Sequence, residues 1–308
     1  MVDTAPRTTS KTTTPGAASA HRPGTTSRSR TPRPAPSAPA PSPAGDAAAP
    51  QPKVDVASLG RQLLGTWADL RVAARERAAK PDLQRIDGQS MAEHRERVMG
   101  QLKLLVDQGA VHRAFPKELG GHEDHGGNIA SFEELVIADP SLQIKSGVQW
   151  GLFGAAVLHL GTEYHHQTFL PDIMSLKVPG AFAMTETGHG SDVAAIGTTA
   201  TYDEAKQQFV INTPFRGAWK DYLGNAALHG TAAVVFAQLI TKGVNHGVHA
   251  FYVPIRNTKG GFLKGIGGED DGLKGGLNGI DNGRLHFTNV RVPSIVKKRR
   301  PGLAIGLE

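Results

Sequence analysis

From Ser58 onward, apolar residues fall at Leu59, Leu63, Trp67 and Leu70, a spacing that stacks them on one face of a helix. Ser90 followed by Glu93 fits a capping box, Val98, Leu102 and Leu105 continue an apolar stripe, and Gly109 marks a stop. Ser131 with Glu134 repeats the box ahead of Leu135 and Ile137, and Pro140 breaks that pattern. Residues 144–160 form an apolar run holding Val148, Trp150, Leu152, Phe153, Val157 and Leu160, closed by Gly161. The run is too short and too interrupted by glycine to span a membrane, so it predicts a core helix. One more helix is expected over residues 162–176.

After Pro179 the period changes from helical to alternating. Residues 198–202 and 209–213 read as a hairpin around the polar loop 203–208, and residues 232–239, 248–255 and 284–292 read as further strands. Helices first and strands afterwards predict an α+β chain, with a helical domain over residues 53–178 and a β domain over residues 179–293. Residues 294–308 carry no period and read as an irregular basic tail.

Composition changes this picture at the two ends. Residues 1–52 are rich in Pro, Ala, Ser, Thr and Arg and nearly lack large apolar side chains, so they are expected to be disordered. Their acid-poor, Arg/Ser-rich character also resembles an organelle transit peptide, although a cytoplasmic extension is the plainer reading. The net charge of +6 is concentrated there and in the tail. Residues 1–50 contribute +4 and residues 294–308 contribute +3, leaving −1 for the body, which argues against a nucleic-acid groove. The absence of cysteine excludes disulfides, thiolate zinc sites, iron–sulfur clusters and a cysteine nucleophile. No apolar run of membrane-spanning length occurs, and the last three residues are not a peroxisomal Ser-Lys-Leu signal.

The candidate chemistry centres on Ala181-Phe182-Ala183-Met184-Thr185-Glu186-Thr187-Gly188-His189-Gly190-Ser191-Asp192. A strand delivers Met184 and Thr185 to its end, and a glycine-rich loop lets the main chain approach a ligand closely. By composition alone the plainer reading is an ordinary glycine-rich connection. Neither this loop nor the glycines at 272–279 carry Gly-Lys-Ser/Thr, which rejects a Walker phosphate loop. His122-Glu123-Asp124-His125 and His165-His166 offer metal-type ligands, but consecutive loop residues rarely converge on one ion, so no metal site is expected.

Taken whole, Met-Thr-Glu-x-Gly-x-Gly-Ser-Asp resembles the flavin-binding signature of the acyl-CoA dehydrogenase/oxidase superfamily. Gly188-His189-Gly190, Thr198 to Asp203, Thr213-Pro214, Lys220-Asp221-Tyr222-Leu223-Gly224-Asn225, His249 to Ile255 and Asp281-Asn282-Gly283 resemble its acyl-CoA oxidase branch, in order, over residues 115–293. The resemblance implies a helical domain followed by a β-barrel-like middle domain, FAD as cofactor and fatty acyl-CoA as substrate, with neither nucleic acid nor membrane as a partner. It implies that Thr185 meets the flavin ring, that Gly224 contacts FAD from a neighbouring strand, and that Tyr222 stands where the family carries an aromatic residue, usually Trp. Met184 flanks Thr185, and Ser191 matches a position that contacts flavin or substrate phosphates. The family is homo-oligomeric, and its catalytic base is a Glu on a C-terminal helical bundle, a domain with no counterpart in this sequence. No residue here can be matched to that base, and the carboxylates Glu186 and Glu269 stand at other places.

Two functions are therefore weighed. The first is an FAD-dependent desaturation of acyl-CoA to trans-2-enoyl-CoA in fatty-acid β-oxidation, electrons passing to O2 in an oxidase or to an electron-transfer flavoprotein in a dehydrogenase. The second is a truncated, non-catalytic fragment or an acyl-CoA- or FAD-binding module, and in either case the chain alone is expected to be inactive. The flavin reading requires the strand end at Thr185 and the turn at Gly224 to meet.

Overall fold

The computed structural model describes residues 53–294. The expected disordered extension, and all but Ser294 of the expected basic tail, lie outside the described residues.

Helix α1 spans Val56–Leu64 and is capped by the Asp55 carboxylate, which accepts from the Ala57 and Ser58 N–H groups at 3.0 and 3.1 Å. Gly65, at φ +71°, ends it, and after a single 3₁₀ turn the chain restarts as α2, Ala68–Ala78. The stripe expected to form one helix is thus divided, and Leu63 is 79% exposed. Helix α3, Met91–Asp107, carries the expected capping box, with Ser90 N–H donating to Glu93 Oε2 at 2.8 Å. Its stripe Val98, Leu102 and Leu105 is fully buried.

Helix α4, His125–Glu134, starts well before the predicted box, because the Asp124 carboxylate takes the N-cap by accepting from Gly127 N–H at 2.8 Å. Ser131 consequently lies inside the helix, and Glu134 accepts from Arg71 and Arg75 of α2. Pro140 opens a helix instead of closing one. It sits in the first turn of α5, Pro140–Ser146, where its missing N–H costs nothing. Helix α5 runs on through π-helical turns at Gly147–Gly154 into α6, Ala155–Leu160, giving the single core rod expected from residues 144–160. Helix α7, Glu163–Met174, follows.

Nine strands follow among the described residues. They are β1 (Gly180–Ala183), β2 (Thr199–Asp203), β3 (Gln208–Asn212), β4 (Lys220–Leu223), β5 (Ala232–Thr241), β6 (Val244–Pro254), β7 (Ile266–Asp270), β8 (Gly283–Phe287) and β9 (Val290–Pro293). The run 284–292, expected as one strand, is broken at Asn289, φ +51°, into β8 and β9, which enter different sheets. Strands β4 and β7 escaped the alternation rule. Strand β4 has an irregular register and β7 contains Gly267 and Gly268, where a Cβ would strike His286 and the Arg284 carbonyl.

One sheet is mixed and six-stranded. Strand β5 pairs with antiparallel β6 on one edge and with parallel β1, then β2, on the other, and β3 and β9 continue outward. The second sheet is β4–β8–β7. Strand β5 is buried on both faces: Ala232, Val234 and Phe236 join the helical core, whereas Ala233, Val235 and Ala237 join the core between the sheets.

The rod packs directly on the sheets. A Cβ at Gly180 would lie 2.1 Å from the Phe153 ring, and one at Gly224 would lie 2.7 Å from Val148. Gln149, fully buried, donates to the Ile173 and Val178 carbonyls and accepts from Gly180 N–H at 2.9 Å. Lys145 on the rod forms a wholly buried ion pair with Asp281, whose second oxygen accepts from the Leu228 and His229 N–H groups at 2.9 and 2.8 Å.

Two stability predictions follow from these contacts. Gly180→Ala overpacks the rod–sheet seam and lowers unfolding free energy by about 1–3 kcal/mol in a denaturant titration. Asp281→Asn strands the buried Lys145 charge and costs about 3–5 kcal/mol, and much of that loss returns in the double variant Lys145→Met/Asp281→Leu.

Candidate functional site

Strand β1 is short because β5's edge passes from β1, last paired at Val235, to β2, first paired at Gln238. The chain after Ala183 therefore leaves the ladder and is held by side chains. Lys220 Nζ donates to the Met184 carbonyl at 3.0 Å and to Glu186 Oε1 at 2.9 Å. Glu186 also accepts from the Gly197 and Thr198 N–H groups at 2.7 and 3.0 Å. Both side chains of this ion pair are fully buried. Burial opposes the charge on Glu186, but Lys220 and those N–H donors overcome it and hold the carboxyl below the ordinary Glu range. Burial pushes Lys220 down to about 8 even against the charge of Glu186.

This clamp lays the strand end against β4, where Asp221 N–H donates to the Thr185 carbonyl at 3.0 Å. Thr185, Tyr222 and Gly224 then line one cleft of about 310 Å³. Val148 and Leu152 of the rod also line it, as do Lys274 and Asn282. Among the described residues nothing accepts from the Thr185 N–H or hydroxyl. Tyr222 is 71% exposed at φ +58°, its ring presented at the surface, and Asn282 Nδ2 donates to its carbonyl at 3.1 Å. Met184 lines a neighbouring groove of about 470 Å³ between α6 and the sheet, which shares Leu152 and Phe182 with the first cleft. Ser191 is exposed and lines neither.

The carboxylates are engaged elsewhere. Asp221, which lines the cleft, accepts from Thr187 Oγ1, Arg284 Nε and Tyr222 N–H, each at 2.9 Å. Glu269 is held by Arg216 at 2.9 and 3.0 Å and lies outside the cleft. Glu186 is sealed in its clamp. The two carboxylates singled out in the sequence are thus both ion-paired. The His-Glu-Asp-His loop is also committed, Asp124 capping α4 and bonding to Arg113 at 3.1 Å. Among the described residues no three His, Asp or Glu side chains gather around a cation position.

Lys274, Val148 and Leu152 are lining residues that the sequence reading did not single out. Only Lys274 carried a signal, as the lone cation in the glycine-rich stretch 272–279. Val148 and Leu152 reach the cleft solely through the docking of the rod.

With this geometry in view, residues 68–177 match the N-terminal domain of acyl-CoA dehydrogenases and residues 181–290 match their middle domain. The chain belongs to the acyl-CoA dehydrogenase family. Within that family its relatives are acyl-CoA oxidases. It is 46% identical over 222 residues to peroxisomal acyl-coenzyme A oxidase 2 of Arabidopsis thaliana, covering 70% of this chain and 32% of the relative. The mouse acyl-coenzyme A oxidase-like protein is 46% identical over 161 residues, covering 52% of this chain and 25% of the relative. Acyl-CoA oxidase 1 of Yarrowia lipolytica superposes with a TM-score of 0.66 at 29% identity, over 74% of this chain and 33% of that one. Acyl-CoA oxidase 2 of Caenorhabditis elegans, solved with FAD, ascaroside-CoA and ATP, gives 0.65 at 26% identity, over 78% and 36%. The acyl-CoA dehydrogenase-family chain described here therefore spans about a third of the length of the relatives it matches, over their N-terminal helical region and curled, half-barrel sheet. No described helix is long and apolar enough to cross a membrane.

The clamp and the Lys145–Asp281 pair set the acid response. Burial opposes ionisation of Asp281, yet the hydrogen bond from His229 and the charge of Lys145 hold it far below the usual Asp range. Both carboxyls titrate lower in the native than in the unfolded chain, so the unfolded chain binds more protons in acid. Their contribution is fully present above about pH 5 and drains as pH falls toward the native values. Denaturant midpoints measured from pH 7 to pH 3 are expected to fall steeply below about pH 5.

Proposed function

We propose that this chain forms the flavin-ring side of an FAD-dependent acyl-CoA oxidase of fatty-acid β-oxidation. The observation that carries the reading is the meeting of Thr185, Tyr222 and Gly224 in one cleft with the Thr185 donors uncommitted. The cleft is about twice the 150 Å³ cavity that takes a benzene ring, the scale of a fused tricyclic ring. When bound, FAD would supply the acceptor for the β-hydride of an acyl thioester and pass the electron pair to O2 as peroxide, while the α-proton goes to a base that no cleft-lining residue of this chain supplies, leaving trans-2-enoyl-CoA.

The chain's own residues would bind and orient. Thr185 would donate its N–H and hydroxyl to the edge of an electron-rich ring. The Gly224 backbone, packed directly under Val148, brings the rod up to the edge of that ring, Tyr222 offers a stacking face, and Lys274 adds a cation to the lining. Ser191, exposed beyond the cleft, is left for an extended phosphate tail. The Met184 groove, walled by Phe182 and Phe236, suits an apolar chain. The compartment belongs to the same proposal, whereas the homo-oligomeric assembly of the family is not carried over to this stretch alone. The sequence reads as cytoplasmic, the plant relatives are named peroxisomal, and imaging a tagged chain separates the two.

A second reading, a binding module without turnover, is favoured by Asp221, because the one carboxylate lining the cleft already has its oxygens engaged by Arg284, Thr187 and the Tyr222 N–H. FAD titrated into the purified chain, followed by flavin fluorescence, should saturate. Thr185→Val should weaken it roughly 3- to 10-fold, the worth of one hydrogen bond. With FAD and an acyl-CoA the chain alone should release no peroxide. Saturable FAD binding that is indifferent to Thr185→Val and Tyr222→Ala removes the flavin reading, and robust peroxide release removes the claim that this part lacks a base.

A further inference from the structure

A third cavity lies on the neighbouring flank of the rod, bordered by α2, α3 and α4, and the flavin reading makes no use of it. It holds about 190 Å³ and its walls include Leu105, Phe132 and Trp150. Four polar side chains enter this apolar lining: Arg77, Asn128, Ser131 and Ser146. Asn128 and Ser131 stand three residues apart on α4 and so share a face. Ser146 is already engaged, donating to the Gln143 carbonyl at 2.6 Å.

Arg77 is the unusual member. Its neighbours on α2, Arg71 and Arg75, are paired with Glu133 and Glu134, and Arg113 is paired with Asp124. Among the described residues Arg77 has neither an ion pair nor a side-chain hydrogen bond. Burial, then the Arg113 cation, weigh against its charge, and no carboxylate offsets them. A partly desolvated cation facing an apolar cavity is a costly arrangement that an anion of the right shape relieves.

We propose that this cavity binds the carboxylate end of an apolar chain of about six to eight carbons, with Arg77 as the anion partner; the length follows from a 150 Å³ cavity holding one benzene ring. Arg77 takes the carboxylate, Asn128 and Ser131 add donors, and Leu105, Phe132 and Trp150 cover the chain. Such a carboxylate has two sources. One is a free medium-chain acid. The other is the far end of a dicarboxylic acyl-CoA whose chain runs along the Met184 groove, since the two cavities share the exposed residue Gly151. Only the second source rests on the proposed function.

The test is calorimetric titration of the chain with octanoate, using 1-octanol as the neutral probe of equal length. Octanoate should saturate a single site and bind about tenfold or more tightly than octanol. Arg77→Met should weaken octanoate about tenfold and leave octanol unchanged, while Arg77→Lys retains most of the octanoate affinity. Thermal melting confirms that each variant folds. The CoA thioesters of octanedioic and octanoic acid separate the sources. Loss of the diacid thioester's advantage in Arg77→Met assigns the far end of a substrate, and no such advantage in the wild type, with octanoate bound, assigns a free acid. Equal binding of octanoate and octanol, unchanged octanoate affinity in Arg77→Met, or no response to either octanoate or the diacid thioester overturns the proposal. FAD titration of Arg77→Met, expected to match wild type, keeps this outcome independent of the flavin cleft.

Discussion

The close approach of the helical rod to the sheets governs the rest of this structure. Interiors pack at crystal-like density, and two backbones can come this near only where no Cβ intervenes. Gly180 beneath the Phe153 ring and Gly224 beneath Val148 are those places. The same approach turns Val148 and Leu152 into a wall of the Thr185 cleft, so the site is a consequence of how two kinds of secondary structure dock. Gln149 reinforces the seam with polar bonds to both sides, satisfying backbone groups that would otherwise be buried without partners.

Two buried ion pairs lock this arrangement at points where hydrophobic contact alone would leave the register free. Lys145–Asp281 ties the rod to the loop before β8, and Lys220–Glu186 ties the end of β1 to β4. Each anion also accepts main-chain N–H bonds, which repay much of the desolvation that makes buried charges costly. Both pairs lie beside the candidate cleft without entering it. They hold Thr185 in place while removing Glu186 and Asp281 from any role as a base.

The legible parts of the fold were those set by local rules. The α3 capping box, the buried run around Val148 and Trp150, the β2–β3 hairpin and the order of helices before strands could all be read from neighbouring residues. The misreadings share one cause, competition between a local signal and a better partner. Asp124 took the cap assigned to Ser131 and freed Glu134 to bind arginines, while Asp139 and Pro140 together began a helix where proline alone predicted an end. Strand β7 was hidden because its glycines answer to close contacts across the sheet and not to β-propensity. At the site, Thr185, Tyr222 and Gly224 were legible as motif residues and meet in one cleft, whereas Ser191 stands apart on the surface.

What the sequence determined by itself was the kind of element each segment forms and the family wording of the loop at Thr185, because period, caps and motif order are carried by residues close along the chain. Only the tertiary structure decided which donors remain free, which carboxylates are neutralised, and that Arg77 faces an apolar cavity with no counter-charge among the described residues. Those are properties of distance and burial between residues far apart in sequence, and no local pattern encodes them.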